Sequence, residues 1–133
     1  MSLAAKTVLL LEDQPLIALD LEDLLHQAGF ENIVTFTRCD DAETWLKGND
    51  PDLAIVDIYL IDGPCEAVAA RLAERATPFI VYSGDSKSQL DTGSVFHHGT
   101  WVIKPCQPHV LLQAINAVVQ QRACGPAVLN SQP

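Results

Sequence analysis

Basic residues are scarce in this sequence: 8 Lys and Arg stand against 17 Asp and Glu, for a net charge of −9. That balance argues against direct binding to nucleic acid, whose affinity rests on cationic contacts to phosphate. Long apolar runs are also missing. The longest, such as Thr7–Leu11 and Leu53–Val56, fall far short of the roughly 20 residues that a membrane-spanning helix needs. Lys6 and then Glu12-Asp13 interrupt the N-terminal apolar stretch, so no signal peptide is read there. A soluble, cytoplasmic protein is expected. The four cysteines (Cys39, Cys65, Cys106, Cys124) form no CxxC pair and show no metal-ligand spacing, so they are expected to be isolated thiols in a reducing compartment. Aromatic residues make up only 6%. The loop after Leu11 is acidic where a phosphate-cradling loop would need glycine amides, which disfavours a flavodoxin-like cofactor binder.

What is present is a rhythm. At 133 residues with 48% hydrophobic content, the chain has the size of one domain and enough apolar side chains for a core. Short apolar strands at 7–11, 33–36, 53–57, 79–82 and 101–103 alternate with helical spacing. Such alternation predicts a parallel sheet with helices on both faces. Pro15 opens a helix bearing Ile17, Leu21, Leu24, Leu25 and Ala28, which Gly29 caps. Asp40 or Asp41 is expected to cap a short second helix carrying Ala42, Trp45 and Leu46. A third helix is expected over 66–75. Ser, Asp, Thr and Gly interrupt 86–99, so the fourth helix should be short, irregular or mobile. The last helix begins near Pro108 and carries Leu111, Leu112, Ile115, Val118 and Val119. From Cys124, Gly125, Pro126 and Pro133 mark a frayed tail. The expected division is a domain over 6–122 and a flexible tail over 123–133.

In an open parallel α/β sheet, ligands bind at the carboxyl ends of the strands. The first strand ends in Glu12-Asp13, the third in Asp57, the fourth in Ser83-Gly84 and the fifth in Lys104-Pro105. Three carboxylates, a hydroxyl and an ammonium therefore converge on one rim. Three neighbouring carboxylates repel, and a divalent cation relieves them. All-oxygen ligation selects magnesium, calcium or manganese rather than zinc. Asp57 is then placed to attack phosphorus, with Lys104 and the Ser83 hydroxyl serving the phosphoryl oxygens. Taken singly, an acidic pair is loop solubility, a strand-end Asp is a helix cap, and Ser-Gly is a turn. Their joint placement on four strands in this order is what carries the chemical reading.

The chain resembles the receiver domains of response regulators in two-component signalling, over roughly residues 6–122. The resemblance implies a five-stranded (βα)5 fold of flavodoxin-like order 2-1-3-4-5. It also implies a Mg2+ (or Mn2+) ion held directly by Asp13 and Asp57, through water by Glu12, and by the backbone carbonyl of Tyr59. Asp57 corresponds to the phosphoacceptor, Ser83 to the switch hydroxyl and Lys104 to the family's lysine. Lys104–Pro105 corresponds to its usually cis peptide, and Asp62-Gly63 to the turn after the phosphoacceptor strand. Trp101 stands at the switch aromatic, where Tyr or Phe is usual. Tyr59 and Asp85 fall at positions that tune the aspartyl-phosphate lifetime. The implied partners are a histidine kinase or histidine phosphotransfer protein and a downstream protein.

An alternative is a haloacid-dehalogenase-like phosphohydrolase with Asp57 as nucleophile. That class wants a second Asp two positions on, where this chain has Tyr59. His97-His98 invites a metal reading, but adjacent side chains diverge, no partner sits at ligand spacing, and a loop or helix-end pair explains them. The apolar face of the last helix is explained by packing on the sheet, with some room left for a homodimer contact.

Overall fold

Every residue of Leu53–Val56 is buried, as only a strand with helices on both sides can be. This segment, β3, takes the centre of the sheet. The computed structural model describes residues 5–84, 94–104 and 107–130, and at 83 and 120–130 the backbone alone. Around β3 run β1 (Thr7–Leu11), β2 (Asn32–Phe36), β6 (Phe79–Ser83) and β7 (Thr100–Ile103), all parallel, in the order β2-β1-β3-β6-β7. Counting these five strands alone gives the expected 2-1-3-4-5. A second, two-stranded piece was not anticipated: β4 (Tyr59–Leu60) and β5 (Gly63–Pro64) form an antiparallel hairpin directly after the central strand.

Period-two alternation splits the core into two layers. Leu9, Leu11, Ala54, Val56 and Val81 face α2 (Cys39–Leu46), α3 (Glu66–Glu74) and a 3₁₀ turn at Val95–His98. Val8, Leu10, Ile55 and Ile80 face the other way, onto Leu21 and Leu25 of α1 (Pro15–Ala28) and Leu111, Ile115 and Val118 of α4 (Pro108–Asn130). The apolar face of α4 is thus spent on the sheet, as expected. Each fully buried Leu or Ile contributes roughly 1.5–3 kcal/mol by leaving water.

Several local expectations are corrected. Gly29 does cap α1, at φ 112°, with its N–H on the His26 and Leu25 carbonyls. At α2, however, neither Asp40 nor Asp41 is the cap: the helix opens at Cys39, after Arg38, whose side chain makes no capping bond. Asp62 takes over from across the hairpin, accepting from the amides of Cys39 (2.7 Å) and Asp40 (3.1 Å). A non-local carboxylate serves the free helical N–H groups as well as a local one. The reading of four isolated thiols also fails for two of them, because Cys39 and Cys65 form a disulfide. The fold brings the start of α2 and the start of α3 together, a juxtaposition that sequence spacing does not report. Finally, α4 runs in helical form to Asn130, past Cys124 where a tail was expected. Pro126 lacks the N–H that would reach back one turn, yet the helical backbone continues through it. Of the fourth-helix region, 94–99 holds the 3₁₀ turn, while 85–93 lies outside the described residues, as do Asp85, Pro105 and Cys106.

Gly99 joins the 3₁₀ turn to β7 by a close approach. A Cβ there would fall 2.5 Å from the Phe79 ring and 2.9 Å from the Phe79 carbonyl oxygen. No side chain fits against that backbone.

Candidate functional site

Parallel strands deliver their last residues to one rim, and backbone bonds fix the level of each. The Asp57 amide donates to the Leu11 carbonyl (3.0 Å) and the Glu12 amide to the Phe36 carbonyl (3.2 Å), so the ladder continues one residue beyond β1 and β3. Glu12 and Asp57 are therefore held as extensions of rigid strands. Lys104 follows β7 in the same way, on the far side of β6.

The three side chains meet. Lys104 Nζ donates to Glu12 Oε1 at 2.7 Å and to Asp57 Oδ2 at 2.8 Å. Glu12 is 1% exposed and Asp57 9%, so these are screened ion pairs rather than surface ones. The Gln14 amide donates to the other Glu12 oxygen at 3.2 Å. Asp13, more open, completes a group of three carboxylates whose nearest oxygens all lie within 4.8 Å of one another. The Tyr82 ring lies 5.4 Å from Lys104 Nζ and flanks the ammonium.

Burial pushes the Glu12 carboxyl above its ordinary value, and the hydrogen bond and charge of Lys104 oppose that rise without cancelling it. For Lys104, burial works to lower the pKa, but the bonds to Asp57 and Glu12 outweigh it, so the ammonium titrates above its ordinary range. The lysine is a fixed positive charge between two carboxylates. On the far side of the hairpin, the Cys39 amide, opposed by burial and aided by the Asp40 amide, holds the exposed Asp62 carboxyl below its ordinary value.

Of the residues singled out from the sequence, Glu12, Asp13, Asp57 and Lys104 are brought together. Ser83 closes β6 in register with Ile103, the residue before Lys104; its side chain is not among those described. Tyr59 opens the hairpin two residues past Asp57, half-exposed at 52%. Trp101 lies half-buried against the α2–α3 core. Its Nε1 donates to the Phe96 carbonyl at 3.0 Å, and its ring stacks on His97, centroids 6.2 Å apart. His97 and His98 end the 3₁₀ turn. The only cluster of potential metal ligands among the described residues is Glu12, Asp13 and Asp57. Tyr82, Gln14 and the capping of α2 by Asp62 escaped sequence reasoning because each acts across a distance in the chain or through a backbone amide, and no local signal marks them.

The chain belongs to the response regulator receiver domain family, whose model matches residues 8–116. It is 32% identical over 120 residues to the phyllosphere-induced regulator PhyR of Methylorubrum extorquens, covering 88% of this chain and 43% of that one. The chain spans about half the length of the curated relatives it matches. Among solved structures, SdrG from Sphingomonas melonis is 30% identical, with a TM-score of 0.73 over 90% of this chain and 99% of SdrG. The receiver domain of the sensor histidine kinase PA1611 from Pseudomonas aeruginosa shares the fold at 18% identity and a TM-score of 0.75, covering 89% of this chain and all (100%) of that one. It holds a magnesium ion in its active-site cleft. Receiver domains are signalling phosphoacceptors that work with histidine kinases or phosphotransfer proteins, and they bind Mg2+ in an acidic pocket. These matches give no support to the phosphohydrolase alternative. No helix among the described residues is long and apolar enough to cross a membrane.

Proposed function

We propose that this receiver, over residues 6–122, accepts a phosphoryl group on Asp57 from a phosphohistidine of a kinase or phosphotransfer protein in the cytoplasm. The observation that carries the reading is the ammonium of Lys104 placed at 2.7 Å and 2.8 Å between Glu12 and Asp57. Lys104 steadies the carboxylate through Oδ2 as one Asp57 oxygen attacks. That oxygen forms the new bond to phosphorus as the bond from phosphorus to the donor imidazole breaks, and the imidazole takes up a proton. Lys104 then neutralises a phosphoryl oxygen, and Ser83 donates to another.

The donor set fits a hard divalent cation: carboxylate oxygens alone, clustered and half-shielded, with no nitrogen or sulfur ligand among them. Asp13 and Asp57 would hold Mg2+ (or Mn2+) directly, Glu12 through water, and Tyr59 through its backbone carbonyl. When bound, the ion neutralises charge on the transferred group and orients it. Trp101 and Ser83 carry the phosphorylated state outward to protein contacts. Adding magnesium and beryllofluoride together should change the intrinsic tryptophan fluorescence, chiefly from Trp101. The response should vanish in Asp57→Asn. An unchanged spectrum, with no covalent labelling by an acyl phosphate, would overturn the reading.

A further inference from the structure

The disulfide between Cys39 and Cys65 lies outside the chemistry just described, yet it closes a loop around it. The bridge spans 26 positions, and inside that ring lie β3, Asp57 and the hairpin that carries Tyr59 and Asp62. The same two cysteines are fastened to the hairpin by their backbones. The Cys65 amide donates to the Ile58 carbonyl at 2.9 Å, and the Cys39 amide to Asp62 Oδ1 at 2.7 Å. The Ile61 amide donates to the Thr37 carbonyl at 3.3 Å. Residues 58–65 are therefore pinned to the start of α2 by one carboxylate, one backbone bond and one covalent link. Only the covalent link can be made and broken by a change in redox conditions.

We propose that Cys39 and Cys65 are a reversible thiol–disulfide site that sets the rigidity of the phosphoacceptor hairpin. Their Cα atoms are 5.4 Å apart, within the range that a bridge spans without backbone movement, so the reduced pair is already placed to close. Cys39 is 7% exposed against 1% for Cys65, and in the proposed step its thiol meets the oxidant first. With a hydroperoxide as oxidant, the Cys39 sulfur attacks the peroxide oxygen, giving a sulfenic acid and releasing one water (or alcohol). The Cys65 sulfur then attacks that sulfur, forming the S–S bond and expelling the second water. Two thiols and one hydroperoxide are consumed, and the peroxide is the species reduced. A small dithiol reverses the step by exchange. In a reducing compartment a bridge of this kind is a sensor rather than a permanent staple. The site rests on the phosphoacceptor reading only for its consequence, the control of the hairpin beside Asp57.

The test uses the full chain, prepared with dithiothreitol and, separately, with hydrogen peroxide. Intact mass after denaturing alkylation should show all four cysteines blocked in the first sample and two in the second. Peptide mapping should recover the Cys39–Cys65 link, and the unalkylated oxidised protein should be about 2 Da lighter. Hydrogen exchange over 58–65 should slow on the order of tenfold in the bridged form, and Cys39→Ser with Cys65→Ser should abolish that difference. Four alkylatable thiols after peroxide, a bridge to Cys106 or Cys124 instead, or equal exchange in the two forms would overturn the proposal. Failure of Asp57 to take up phosphate moves none of these readouts and would count against the phosphoacceptor reading alone.

Discussion

Lys104 and Glu12 show how a single residue's surroundings become a measurable property. Lys104 is the ammonium that balances two screened carboxylates. Replacing it with alanine leaves them facing one another, and removing one member of a buried ion pair costs about 3–5 kcal/mol. Because Asp13 keeps the cluster partly open, Lys104→Ala should lose about 2–4 kcal/mol in metal-free buffer, as read by urea unfolding. Magnesium should restore part of that loss, and a variant as stable as the parent would contradict the geometry. Glu12 gives a pH signature. Its carboxyl is raised by burial above the ordinary value of 4.5, so the folded state binds the proton more tightly than the unfolded one. The associated stability is fully present below about 4.5 and is lost as pH rises through the raised folded value. Glu12→Gln removes that loss. In chelator, the melting temperature of the variant minus that of the parent should increase with pH across this window and then level off. A difference that falls with pH would contradict the burial.

At the scale of elements, the hairpin β4–β5 and the start of α2 form one unit joined by Asp62 and the Cys39–Cys65 bridge. Asp62→Ala frees the amides of Cys39 and Asp40. Hydrogen exchange in the first turn of α2 should speed up, while the sheet strands keep their protection. A uniform change across the chain would place the cap elsewhere. The other junction is at Gly99, where the 3₁₀ turn enters β7 against the Phe79 carbonyl. Gly99→Ala should cost about 1–3 kcal/mol through forced displacement, and it should perturb Trp101, whose Nε1 is tied to Phe96, three residues before Gly99. A neutral substitution would mean the backbone yields freely there.

For the molecule as a whole, the sheet was legible because its strands are short, apolar and separated by helical spacing, and the central strand is buried on both faces. The rim cluster was legible for a related reason. Parallel strands all point the same way, so residues at their ends must converge, and Glu12, Asp57 and Lys104 do. What escaped is what depends on loops folding back. Asp62 capping α2, the Cys39–Cys65 link and the ring of Tyr82 beside Lys104 each join segments whose approach no local pattern encodes. Gly125-Pro126 reads locally as a break, while helical backbone passes through it to Asn130.

The carboxylates that follow β1 and β3 and the lysine that follows β7 are proposed to form a cation-assisted phosphoacceptor centred on Asp57. Intact mass after treatment with a small acyl phosphate tests it directly. A gain of one phosphoryl group, about 80 Da, is expected in the presence of magnesium, with none in chelator and none in Asp57→Asn. A gain that persists in Asp57→Asn, or that does not depend on the metal, would contradict it.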